Sequence, residues 1–156
     1  MAYTDIITLA DAKTYLRIDD TLTEDDAQIT RMIKASLSQI ERATNYILFA
    51  RAKSYVVENC AVNVYDFPIN SLTTPTTATS VEKSIYTTYT TVVATDLKVS
   101  LNVGYVDPLD VPSDLIEVAF EMIDLMYYSP ETGKSIKSDL SELSKMVLSN
   151  YKRFFI

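Results

Sequence analysis

The sequence predicts an α+β fold, predominantly helical, with an N-terminal helix pair, a small central antiparallel β region and two C-terminal helices. Three observations predict it. Apolar residues recur every three or four positions before about residue 50 and again after residue 107, which is the helical period. Between these stretches the period falls to two, in a run rich in Val, Thr and Tyr. The only two glycines, Gly104 and Gly133, fall where elements should end. A length of 156 residues suits one domain, 1–156, divided into a helical segment 1–50, a β-rich insertion 51–106 and a second helical segment 107–156. A chain of this size buries about 70% of the surface its unfolded form exposes. A hydrophobic fraction of 47% and a charged fraction of 22% are those of a globular protein.

The first helix is expected over Leu9–Leu16, with Thr8 as N-cap and Asp11 as the acid of a capping box. Leu9, Ala12 and Leu16 share one face. An acidic turn, "IDDTLTEDD", leads to the second helix. Thr23 is its expected N-cap, and Glu24, Asp25 and Asp26 stand where the helix dipole favours negative charge. That helix should run to about Tyr46, with Ile29, Ile33, Leu37, Ile40 and Ala43 inward. Arg31, Lys34, Ser38, Gln39, Glu41 and Arg42 form its outward face, and Asn45 is the terminator.

From Ala52, "AKSYVVENCAVNVYDF" reads as two strands or an imperfect hairpin turning at Glu58-Asn59. Pro68 redirects the chain, and the Thr-rich segment 73–80 is an expected exposed loop. Strand character resumes at Val81, Ile85, Tyr86, Tyr89, Val92 and Val93. It is clearest where Leu97, Val99, Leu101 and Val103 alternate, up to Gly104.

The third helix should place Pro112 at its first position, where a missing N–H costs nothing, and Asp114 in its first turn. Leu115, Ala119, Met122, Ile123 and Met126 form its apolar stripe, while Glu117, Glu121 and Asp124 form a solvated outer one. Pro130 and Gly133 close it. The last helix carries Leu140, Leu143, Val147 and Tyr151 in register and ends on Phe154-Phe155-Ile156. Aromatic residues at a chain end call for a partner or a docking site.

The inventory removes several chemistries. With no His there is no Ser-His-Asp triad, Cys-His pair or HExxH zinc site, and with Cys60 alone there is no Cys-based zinc site or internal disulfide. Cys60 reads as a small core or surface residue rather than a reactive thiol. Two glycines cannot make a P-loop or a dinucleotide fingerprint. The acidic turn Asp19, Asp20, Glu24, Asp25, Asp26 lacks calcium-loop spacing. No metal or cofactor is expected. The net charge of −7 argues against sequence-independent grip on nucleic acid. "MAYTDIITLADAK" has no secretory pattern, and Leu115 to Tyr128 is too short and too acidic to cross a bilayer, so a soluble protein made in the cytosol is expected. Eleven tyrosines without a tryptophan suit protein interfaces as well as half-buried packing.

In order along the chain, "ITLADAKTYLRIDD", "EDDAQITRMIKASLSQIERATN", a β region closing on "LNVGY", "VPSDLIEVAFEMIDLMYYSPE" and "MVLSNYKRFF" resemble the head-tail connector (adaptor) family of tailed bacteriophages. The Thr-rich stretch from Leu72 to Thr95 and the "YSPETG" after the third helix depart from the family pattern. The resemblance implies a virion protein of the neck, made in the host bacterial cytoplasm. It implies a homo-oligomeric ring, expected to be dodecameric, that binds beneath the portal protein and receives the next stopper or tail component. DNA would pass through its lumen unheld, with no membrane involved. Carried over by position, Tyr151, Lys152, Arg153, Phe154, Phe155 and Ile156 would dock on the portal. Two further readings compete: a monomeric protein-binding module, and a carboxylate-dependent enzyme built on acids such as Glu117 and Asp124.

Overall fold

The structure is a computed structural model and describes residues 2–74, 80–83, 90–93, 98–128 and 139–152. The architecture is α+β, with the described chain forming two compact units. One is helical and comprises Met1–Thr44 and Asp107–Lys152; the other lies within Asn45–Val106.

The helical unit contains α1 (Tyr3–Ile6), α2 (Leu9–Leu16), α3 (Asp26–Thr44), a 3₁₀ turn at Pro108–Asp110, α4 (Ser113–Tyr128) and α5 (Glu142–Tyr151). Helix α2 begins as expected. The Thr8 hydroxyl accepts the Asp11 N–H at 3.1 Å and the Asp11 carboxylate accepts the Thr8 N–H at 3.1 Å. It ends at Arg17, which is left-handed at φ 58. The short α1 has no periodicity to announce it. Its start is held by the Ala2 N–H donating to Asp5 at 2.6 Å.

Helix α3 starts at Asp26, three residues after the expected cap. The reason is Lys13, an unexpected buried cation on α2. Its ammonium donates to the Leu22 carbonyl at 2.6 Å and pairs with Asp26 at 2.5 Å. These bonds hold residues 20–25 as turns, so the helix begins only where Asp26 meets Lys13. At the other end Asn45 is left-handed at φ 62 and terminates the helix, as expected.

Ile29, Ile33, Leu37 and Ile40 of α3 are fully buried, as are Leu115, Val118, Ala119, Met122 and Ile123 of α4 to within a few percent. The two helices pack on each other, and α2 and α5 pack on both. Each large aliphatic side chain taken out of water contributes about 1.5–3 kcal/mol. Glu41, expected outward, is instead buried, because the Tyr3 hydroxyl of α1 covers it and donates to it at 2.6 Å. Pro112 precedes α4 rather than opening it; its carbonyl accepts the Leu115 N–H at 3.0 Å.

The second unit holds β1 (Arg51–Val56), β2 (Ala61–Val64), β3 (Ile69–Thr74), β4 (Ser80–Lys83), β5 (Thr90–Val93) and β6 (Lys98–Val103). They form two three-stranded antiparallel sheets, β1-β6-β3 and β2-β5-β4. The turn expected at Glu58-Asn59 is present, with Asn59 and Cys60 left-handed at φ 53 and 63. Both strands are present, and the hairpin between them is imperfect: Glu58 and Ala61 exchange N–H to carbonyl bonds at 3.1 Å, and beyond that single bridge the strands part. β1 pairs with β6, Arg51 opposite Val103, and β2 pairs with β5, Ala61 opposite Val93. The alternation of Val99, Leu101 and Val103 on β6 places all three in a core with Ile47, Val57, Val64 and Val92. β6 is the middle strand of its sheet, with β1 and β3 on either side. The Phe67-Pro68 bond is cis. Only 75–79 of the expected Thr-rich loop lies outside the described residues; Thr73 and Thr74 belong to β3 and Ser80 to β4. Ile85, Tyr86, Tyr89, Leu97, Pro130 and Gly133 also lie outside them.

Candidate assembly interface

Helix α5 positions the C-terminal segment. Its start is capped by Ser141, whose hydroxyl accepts the Ser144 N–H at 3.2 Å. Glu121 of α4 then receives the Ser141 N–H at 2.5 Å, the Ser141 hydroxyl at 2.9 Å and the Ser144 hydroxyl. Burial would raise the Glu121 carboxyl, but these bonds and the nearby Lys145 outweigh it and hold the pKa below the ordinary Glu value. Glu121, expected on a solvated stripe, is therefore the anchor of α5. That anchor turns Ser144, with Leu140 and Leu148, inward, and Leu143, expected inward, is left 67% exposed beside exposed Met146.

Of the expected docking residues, Tyr151 is half-buried at the end of α5 and its hydroxyl donates to Asp114 at 3.0 Å. Lys152 is exposed and follows the helix. Arg153, Phe154, Phe155 and Ile156 lie outside the described residues.

The other tyrosines of the helical unit work inside it. The hydroxyls of Tyr127 and Tyr128 donate to Asp25 at 2.7 Å and to the Leu16 carbonyl at 2.8 Å, tying the end of α4 to the acidic turn and to α2. Tyr15 of α2 stacks on Phe120 of α4, with centroids 4.9 Å apart and planes 14° apart. Burial first, then the charges of Asp124, Glu117 and Glu121, raise the Tyr15 pKa. The ring thus sits over an acidic helix face and is still 43% exposed. No periodicity within either helix signals this pairing, because it joins residues of two elements; an aromatic on the polar side of α2 is the one clue.

The outward side of α3 has the opposite character. Arg31, Lys34 and Arg42 are exposed, and none makes an ion pair or hydrogen bond among the described residues. In the β unit, Asp66 accepts from Lys53 at 2.8 Å and from the Tyr55 hydroxyl at 2.5 Å. Burial and then Asp66 push the Tyr55 pKa well above its ordinary range. Cys60 is exposed in its turn. Among the described residues no group of His, Cys, Asp and Glu side chains could hold a metal ion, and no helix is long and apolar enough to cross a membrane.

A family model described as "Phage gp6-like head-tail connector protein" matches residues 6–154. No curated protein matches the chain. Among solved structures, it is similar to a chain in the neck of an empty gene transfer agent (GTA) particle computed with C6 symmetry, with a TM-score of 0.77 and 15% identity, covering 100% of this chain and 94% of that one. It is similar to a chain of a native GTA virion, with a TM-score of 0.76 and 15% identity over 100% of this chain and 93% of that one. A third similar chain comes from the neck of a native GTA particle computed with C12 symmetry, with a TM-score of 0.74 and 12% identity over 99% of this chain and 92% of that one. At these identities the likeness is one of fold.

Proposed function

The chain belongs to the phage gp6-like head-tail connector family, and on that premise we propose that copies of it close into a ring in the virion neck, beneath the portal protein. Its role is that of a structural head-tail adaptor. The observation that carries this is the family match over residues 6–154, and the full-length likeness to neck chains of particles computed with C12 and C6 symmetry supports a ring. The ring is dodecameric, extends the DNA channel and presents the next stopper or tail component with a seat. The two units act together as one connector domain. The segment Tyr151–Ile156 docks on the portal, and the β unit faces the downstream component. The protein is not an enzyme and needs no cofactor. A net charge of −7 lets DNA pass without being gripped.

The test is electron microscopy and mass photometry of the purified chain, alone and mixed with purified portal. Rings seated on the portal are expected. A chain that stays monomeric and unattached in both conditions overturns the proposal. Removing residues 153–156, which spares the Tyr151–Asp114 bond, should leave the melting curve unchanged and weaken portal attachment by about tenfold or more, about 1.4 kcal/mol. Unchanged attachment would remove the docking role while leaving the ring intact.

A further inference from the structure

A closed ring of identical chains with more than two members needs two different surfaces on each copy, one for each neighbour. The helical unit carries two such surfaces. At about 100° per residue, Arg31, Lys34 and Arg42 fall on one stripe of α3, roughly opposite the stripe of Ile29, Ile33, Leu37 and Ile40. Glu117 and Asp124 of α4 likewise lie roughly opposite Leu115, Val118, Met122 and Ile123. Since α3 and α4 pack on each other and bury those apolar stripes, the two outer stripes point to opposite sides of the helical unit. One is basic and the other acidic. None of the three cations, and neither of the two carboxylates, makes an ion pair or hydrogen bond among the described residues. The exposed Tyr15 ring at the edge of the acidic stripe adds an apolar platform of the kind on which an arginine guanidinium stacks.

We infer that the basic outer face of α3 on one copy seats on the acidic, Tyr15-bearing outer face of α4 and α2 on the next copy. This rests on the ring reading and adds which faces meet. The contact is head-to-tail: every copy offers its α3 face to one neighbour and its α4 face to the other. Charge complementarity selects a second copy as the occupant. An acidic stripe lying along DNA would be repelled by it, and the unpaired cations of α3 would then have no counterpart in the ring.

The experiment is charge reversal, read by electron microscopy and mass photometry of the full chain with and without portal. Arg31→Glu with Lys34→Glu, or Glu117→Lys with Asp124→Lys, should each reduce ring formation by about tenfold or more, since like charges then face each other. The second pair makes the chain less negative, so its failure cannot be general repulsion. The four substitutions combined in one chain should restore rings, and so should an equal mixture of the two reversed proteins, whose faces match alternately around the ring. All the residues changed lie on outer helical faces, and unaltered circular dichroism of each variant is expected. Arg31→Gln with Lys34→Gln provides a milder version that should weaken assembly most at low salt and differ little from the unaltered chain at high salt, where screening already removes the attraction. If the unaltered chain forms rings and the reversed proteins do so equally well, the face assignment is wrong and the ring stands. If reversal abolishes rings and neither combination restores them, the assignment is also wrong. If the unaltered chain forms no rings in any condition, the ring reading fails first.

Discussion

Lys13 and Gly104 each hold a position that their neighbours in sequence do not demand. Lys13 is buried, and its ammonium bridges the Leu22 carbonyl and Asp26. Lys13→Met keeps most of the aliphatic length but strands both acceptors, a loss of about 1–3 kcal/mol given that Asp26 remains partly exposed. A melting temperature lower by roughly 5 °C is expected; an unchanged one would mean that water replaces the ammonium freely. Gly104 has φ 109, and a Cβ there would run into the Phe49 carbonyl oxygen and lie 2.9 Å from Ile47 Cγ2. The oxygen belongs to the backbone and cannot move aside without breaking the Ala50 to Tyr105 hydrogen bond next to it. Gly104→Ala should therefore cost more than about 2 kcal/mol in urea denaturation. The glycine is legible in the sequence as the end of a strand; its crowding against Phe49 is not, because residue 49 is brought there by the fold.

Helix α5 shows how an element's burial can be set by its start rather than its period. Glu121 captures Ser141 and Ser144, and the rotation this imposes leaves Leu143 and Met146 in solvent. The Glu121 pKa is depressed in the folded chain, so its contribution is complete at pH values well above the ordinary 4.5 and fades as pH falls through the lower folded value. Hydrogen exchange of α5 amides should accelerate in acid below that point, ahead of those in α3. Glu121→Gln should flatten this pH dependence while costing about 1–2 kcal/mol of α5 protection at neutral pH. Leu143→Ala, by contrast, should change stability by less than about 0.5 kcal/mol, because the side chain is already wet. A loss of several kcal/mol there would put Leu143 in the core, where its helical spacing alone would have it.

For the whole molecule, charge and topology are the quantities that matter. An excess of seven negative charges should leave the isolated chain without measurable affinity for duplex DNA. Fluorescence anisotropy of a labelled duplex at physiological salt should show dissociation weaker than about 10⁻⁴ M; binding in the micromolar range would contradict an unheld passage of DNA. The acids are not spread evenly over the helical unit. Arg31, Lys34 and Arg42 gather on α3, while Glu117 and Asp124 lie on α4. A single net charge therefore conceals two faces of opposite sign.

What the amino-acid sequence determined alone was local: the Thr8–Asp11 cap, the buried stripes of α3 and α4, the alternation along β6, the stop at Asn45 and the order of elements that marks the connector family. Each is set by residues within a few positions of one another, where helical and strand periods act. Only the tertiary structure decided that β1 pairs with β6 rather than β2, that Tyr3 buries Glu41, that Glu121 turns α5, and that Tyr15 lies on Phe120. Those outcomes join groups on different elements, and a period within one segment reports which face is apolar without reporting what covers it.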